Sequence, residues 1–133
     1  MTSDMDSLAK ARALAEAALA RKGRNVVVLD VAELTSFADA FVIVTGTSDR
    51  HTRAVADAVV ESAKAHDMPP LGVEGYEDAE WVLIDLNDVI VHVFQGEARS
   101  DYDLERLWGD APSTTYHDEG GDEGGPAVGS GTP

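Results

Sequence analysis

Apolar positions in this chain follow two periods that alternate along its length. Leu8, Ala11, Ala15, Ala18 and Leu19 recur at spacings of three and four, which lines one face of a helix. This predicts a helix over residues 7–22, with Ser7 as its N-cap and Gly23 as its stop. Residues 26–29 and 41–44 are short unbroken apolar runs, the pattern of strands buried on both faces, with 33–39 as a polar connection between them. A second helix is expected over residues 49–66, with Val55, Ala58, Val59 and Ser62 turned inward and Pro69-Pro70 beyond its end. Residues 71–75 read as a short strand between glycines. Residues 81–85 and 89–94 flank Leu86-Asn87-Asp88 and give the strongest hairpin signal in the chain. A last helix is expected over residues 98–108, with Ser100 and Asp103 as a capping pair and Leu104, Leu107 and Trp108 on its inner face.

The order helix, strand, strand, helix, short strand, hairpin, helix predicts an α/β domain with a mixed β-sheet flanked by helices. A strand, a crossover and a second strand early in the chain suggest that part of the sheet is parallel. The domain is expected to span residues 1–110. Residues 111–133 are rich in Gly, Pro, Ser and acid and hold too little apolar surface to offset chain entropy, so a disordered tail is expected there.

Strand alternation divides the hairpin into two faces. Val82 and Ile84 point opposite to Trp81, Leu83 and Asp85, and Val89, Val91 and Val93 oppose Ile90, His92 and Phe94. Both faces are apolar, so one is expected to pack on helices and the other to be only partly covered. Leu86 stands at a turn, where it either folds back on the core or meets a partner. Trp81 is of the type most enriched at interface hot spots, yet most large apolar residues are buried. The pattern alone therefore leaves Trp81 and Leu86 open between core and interface, with core the commoner outcome. Glu77, Asp78, Glu80, Asp85 and Asp88 would rim such an interface with negative charge.

Charge narrows the choice of partner. The chain carries 25 acidic and 10 basic side chains, a net charge of -15. Residues 1–109 alone carry 20 acids against 10 bases, so the acidity is not confined to the tail. Nucleic-acid binding draws on Lys and Arg against phosphates, and anionic membranes make the same demand. The balance argues against DNA and membranes as partners and suits a basic protein, although an acidic surface also serves solubility alone. There is no cysteine, which excludes disulfides and thiolate chemistry. No signal peptide or long apolar span is visible, and a cytoplasmic protein is expected.

Little in the sequence suggests catalysis. The Thr45-Gly46-Thr47-Ser48 loop precedes a helix, and such a loop can hold an anion on free N–H groups. Thr47, Ser48, Arg50 and His51 are the candidate contacts for an anion or an RNA phosphate. The loop lacks the spacing and the lysine of a P-loop, and Ser48 as a simple helix cap is preferred. His51, His66, His92 and His117 show no metal-ligand spacing, and no paired carboxylates on a strand offer a Mg²⁺ site. Neither a cofactor, a metal nor an enzymatic activity is expected.

Four blocks of this sequence resemble the Iojap, or ribosomal silencing factor, family. They are residues 39–51 (DAFVIVTGTSDRH), 70–75 (PLGVEG), 80–94 (EWVLIDLNDVIVHVF) and 102–108 (YDLERLW). They occur in order within residues 7–109, and the acidic tail departs from the family core. The resemblance implies a mixed α/β sheet related in topology to nucleotidyltransferases, here without their catalytic carboxylates. It implies a non-enzymatic protein that binds large-subunit ribosomal protein fourteen on the face that meets the small subunit. Binding there blocks subunit joining and represses translation under nutrient limitation; free members form homodimers. The family's contact residues map onto Trp81 and Leu86, with Leu83, Asp85 and Asp88 in the same hairpin, and a minor contact with ribosomal RNA is compatible with the loop above. The alternative is a nucleotide-binding or nucleotidyltransferase-like enzyme.

Overall fold

The computed structural model describes residues 6–117. Helix α1 (Ser7–Ala20) is followed by strands β1 (Arg24–Asp30) and β2 (Ala40–Gly46), helix α2 (Asp49–Ala65) and the short strand β3 (Gly72–Glu74). The hairpin β4 (Trp81–Asp85) and β5 (Val89–Gln95), two short helices α3 (Ala98–Tyr102) and α4 (Leu104–Leu107), and strand β6 (Ser113–Tyr116) complete the order. The six strands form one mixed sheet in the order β3-β4-β5-β2-β1-β6. The expected mixed α/β sheet flanked by helices is what the chain forms.

The parallel contact lies in the middle of the sheet, not where the early strand pair suggested it. β1 and β2 pair antiparallel, with Leu29 opposite Phe41. β2 instead runs parallel to β5, from Ala40 opposite Val89 to Gly46 opposite Gln95, and α2 lies on the long crossover between them. Each of these central strands is apolar on both faces, so each face needs its own cover. On one side, α1 and α2 lie over Val26, Val28, Val42, Val44, Val82, Ile84, Val91 and Val93. On the other, Val27, Leu29, Phe41, Ile43 and Phe94 form a second, smaller cluster under Leu104 and Trp108. Fully burying each such side chain contributes about 1.5–3 kcal/mol relative to exposure.

Several local expectations are corrected. The N-cap of α1 is Asp6, whose carboxylate accepts from the Ala9 N–H at 2.8 Å; Ser7 is the first helical residue and its hydroxyl turns to Asp88. The buried stripe of α2 is Thr52, Val55, Ala56, Val59 and Ala63, rotated from the expected one because the helix packs against both α1 and the sheet. The expected single helix over 98–108 is broken at Asp103, which adopts the left-handed conformation at φ 52°. The break lets Leu104 and Trp108 reach the second cluster and leaves Leu107 72% exposed.

The expected tail also begins too early. Ser113–Tyr116 is an edge strand, antiparallel to β1 with Tyr116 opposite Val26 and Ser113 opposite Leu29. Its Thr-Thr-Tyr run favours a pleated surface, a signal masked by the Gly- and acid-rich residues that follow. The remainder of that expectation, residues 118–133, lies outside the described residues.

Leu86 is the correction with most consequence. It is 8% exposed and belongs to the cluster beneath α1 and α2. The turn proper is Asn87-Asp88, with Asn87 at φ 78° and the Leu86 N–H donating to the Val89 carbonyl at 2.9 Å. Leu86 therefore extends the alternation of Val82 and Ile84 by one further inward position and is not presented at the turn tip. Replacing Leu86 with Ala is expected to destabilise the fold by about 2–5 kcal/mol, as for other buried leucines. Urea unfolding checks this, and a midpoint equal to that of the parent chain would contradict the burial.

Candidate functional site

The sheet face opposite α1 and α2 is only partly roofed, because α3 and α4 are short. Cross-strand pairing sets Trp81 opposite Phe94, Leu83 opposite His92 and Asp85 opposite Ile90, with Glu74 of β3 opposite Leu83. Trp81, Leu83, Asp85 and Ile90 remain half-buried. Around them rise Phe37, 59% exposed, and Tyr102, 48% exposed. Rings touch in a continuous chain: Phe37 meets Phe41 and Trp108, Phe41 meets His92, and His92 meets Trp81. The Trp81 indole lies between Phe94 at 5.1 Å and Tyr102 at 4.4 Å, centroid to centroid. Aromatic pairs at these separations add stabilisation beyond their buried area. The result is an apolar, aromatic patch with one face on the core and one on solvent.

Phe37 and Tyr102 were missed as patch residues. The 33–39 connection reads as polar, and only the isolated aromatic within it signalled a role. Tyr102 stood in a segment read as one continuous helix with Leu104, Leu107 and Trp108 on its inner face, and it meets the indole from the last position of α3.

A polar pair is buried within this patch. The indole Nε1–H of Trp81 donates to His92 Nδ1 at 3.0 Å. Indole is a donor only, so Nδ1 must accept and the neutral ring carries its proton on Nε2. That Nε2 is buried without a partner. Burial holds the imidazole below its ordinary value, to about 4, because a charged ring would be stranded among Phe41, Trp81 and Phe94.

The roof is held down by Arg99. Its guanidinium makes a bidentate pair with Glu105, at 2.9 and 3.0 Å, and donates to Thr45 Oγ1 at 3.0 Å and to the Asn25 carbonyl. One side chain thus ties α3 and α4 to β2 and to the start of β1. Such planar multidentate contacts suit Arg and not Lys.

The acidic candidates part company. Asp85 stays beside the patch, its Oδ1 accepting from the Asn87 N–H at 2.9 Å, which shapes the turn. Asp88 instead faces α1, where it pairs with Lys10 at 3.1 Å and accepts from Ser7 at 2.7 Å. Burial pushes its carboxyl up, but Ser7 and Lys10 together outweigh this and hold it below the usual carboxylate range. Asp88 is an internal tether, not a rim charge, because the turn points it back over the first residues of the helix.

The loop before α2 is closed on itself. The Thr47 N–H donates to His51 Nδ1 at 2.9 Å, and the His51 N–H donates to Ser48 Oγ at 3.0 Å. His51 Nε2 lies 2.8 Å from the Arg21 carbonyl. Ser48 is the N-cap of α2, as the sequence suggested. The N–H groups of Thr47 and His51, which an anion would require, are engaged within the protein; Thr47, Ser48 and Arg50 are exposed and His51 is half-buried. Among the described residues no group of three His, Cys, Asp or Glu is gathered in a way that could hold a metal ion. No helix among them is long and apolar enough to cross a membrane.

These features define a small mixed α/β domain with one sheet face sealed by long helices and the other left partly bare under an aromatic patch. The chain belongs to the family described as "Ribosomal silencing factor during starvation", whose match covers residues 4–127. The ribosomal silencing factor RsfS of Bacillus subtilis is 40% identical over 92 residues, covering 69% of this chain and 78% of that protein. The RsfS of Halalkalibacterium halodurans is 43% identical over 93 residues, covering 70% and 80%. A mitochondrial Iojap-related protein of Arabidopsis thaliana is 38% identical over 100 residues, 71% of this chain and 53% of its own length. The crystal structure of a Chromobacterium violaceum protein superposes with a TM-score of 0.77 at 37% identity, covering 79% of this chain and 88% of that one. Membership supports a role in ribosome silencing, which is regulatory and not catalytic in kind.

The buried imidazole makes stability depend on pH. His92 titrates at about 4 in the fold against 6.5 when exposed, so the unfolded chain binds the proton first. Its contribution is complete above pH ~6.5 and is lost progressively down to about 4, by roughly 3 kcal/mol. The Asp88 contribution, from a lowered carboxyl, is lost only at still lower pH, below its ordinary 3.8. In urea titrations at stepped pH, His92→Gln is expected to flatten the loss between 6.5 and 4 and to leave the lower limb intact. Parallel curves for parent and variant would show that His92 is not the buried titrating group.

Proposed function

We propose that this protein silences ribosomes by laying the bare sheet face on large-subunit ribosomal protein fourteen, at the surface that the small subunit must approach, so that the subunits cannot join. The observation that carries the reading is the aromatic patch of Trp81, Leu83, Ile90, Phe37 and Tyr102 on an otherwise well-covered sheet. An apolar centre with an acidic surround fits a basic ribosomal protein, and charge would speed the encounter. Family membership supports the ribosome as the target.

In this reading Trp81 and Leu83 are the contact residues, Asp85 lies at their margin, and Leu86 acts from behind by fixing the hairpin. The same patch is apolar enough to pair with a second copy when no ribosome is present, which gives a homodimer in which silencing and self-association compete. Repression would follow from occupancy alone in the cytoplasm, without chemistry, and any contact with ribosomal RNA is secondary to the protein contact.

Two variants test this. Trp81→Ala is expected to weaken co-sedimentation with large subunits by about 30-fold or more, as loss of a hot-spot aromatic does. Leu107→Glu, at an exposed position on the same side, is expected to leave unfolding unchanged and to weaken binding by about 10-fold. If both pellet with large subunits as the parent does, while melting cooperatively, the bare face is not the docking surface.

A further inference from the structure

Tyr102 and Leu107 are the exposed apolar side chains that the roof adds to the bare face, and the segments that carry them have little hold of their own. Tyr102 ends α3 and Leu107 ends α4, and neither helix has a side-chain cap at its N-terminus. Helices of five and four residues do not persist unaided. Between them the chain turns at Asp103, so no continuous helix fixes the angle of one segment to the other. A cleft of about 440 Å³, bounded by Val27, Arg99, Asp103 and Glu105 among others, opens beside this joint. Close packing therefore does not hold the roof on that side.

Hydrogen bonds hold it there, through Arg99. Its Nε and one Nη close the bidentate pair with Glu105, which spans the break from α3 to α4. Its other Nη donates to Thr45 Oγ1 and to the Asn25 carbonyl. That last acceptor is built by an irregularity in β1. The register on β2 steps from Arg24 opposite Thr45 to Val27 opposite Ile43, so two residues of β1 stand against Val44 alone. Asn25 is one of them, at φ 52°, a conformation that asparagine adopts more readily than most residues. Non-glycine residues held in this region gather at functional sites. Here the distortion supplies an acceptor that meets the guanidinium.

We propose that Arg99 is a positioning residue for docking: through Glu105 and the Asn25 carbonyl it sets where Tyr102 and Leu107 meet the partner. Its own side chain is 11% exposed and tied to β1 and β2, whereas Trp81 stands on β4. In this role, which rests on the docking reading above, affinity is set from a point that the partner does not touch. Lysine offers one nitrogen where the site uses three, so Arg99→Lys keeps the charge and loses the geometry. A roof freed in this way must be reordered when the partner binds, and that ordering weakens affinity.

The full chain is tested by co-sedimentation with large subunits, well below its unfolding temperature. Arg99→Lys is expected to weaken binding about 10-fold. In a Tyr102→Ala, Leu107→Ala background the same substitution should change binding by no more than about twofold, because the side chains it positions are gone. An equal loss in both backgrounds means that Arg99 serves the fold alone, and overturns the proposal. Unchanged binding of Arg99→Lys while Trp81→Ala binds weakly overturns it too and leaves the docking reading standing. A Trp81→Ala chain that binds as the parent does overturns the docking reading itself, and the positioning role with it.

NMR of the free protein gives a second measure that needs no ribosome. The Trp81 ring lies 4.4 Å from that of Tyr102, centroid to centroid, so the indole N–H signal reports where Tyr102 stands. That signal is expected to shift in Arg99→Lys. Glu105→Gln, which leaves the ties to Thr45 and Asn25, should shift it less and in the same direction, and it stands in should Arg99→Lys fail to fold. An indole signal that superposes on the parent's in the folded variants overturns the proposal.

Discussion

The structure depends on the parallel pairing of β2 with β5 at the centre of the sheet. Both strands are apolar on both faces, from Phe41 to Val44 and from Val89 to Phe94. Such a pair is stable only when water is excluded from above and below. Every other element answers that demand: α1 and α2 seal one side, α3 and α4 the other, and the outer strands extend the surface on which those helices rest.

The two covers are unequal, and the inequality creates the site. The 14 residues of α1 and the 17 of α2 run the breadth of the sheet. The opposite roof is two helices of five and four residues, too short to nucleate alone and held by the Arg99 fork. Where that roof stops, Trp81, Leu83 and Ile90 are left half-covered. The buried Trp81–His92 hydrogen bond fixes the indole in one orientation against the ring system, so the patch is rigid where it is exposed. A surface that is apolar and preordered loses little entropy when a partner covers it.

Charge is partitioned by use. Lys10 is drawn to Asp88 and Arg99 to Glu105, and Arg53 donates to the carbonyls of Tyr76 and Glu77. With these bases engaged internally, the net acidity of the chain is expressed on its surface. His51 shows the same economy: one imidazole closes the loop before α2 and fastens it to the end of α1. A loop that resembles an anion cradle in sequence is, in three dimensions, a joint between two helices.

Much of this was legible along the chain. The alternation of 81–85 and 89–94 assigned each hairpin residue to its correct face, the unbroken runs at 26–29 and 41–44 marked the doubly buried strands, and Ser48 declared itself as a cap. These are consequences of period and side-chain chemistry, which act within a few residues. Tertiary structure alone decided the rest. It paired β2 with β5, drew Leu86 under the helices, turned Asp88 toward Lys10, and added Ser113–Tyr116 to the sheet. Each of those outcomes joins residues far apart in sequence, and the burial or charge that drives it exists only once the distant partner has arrived.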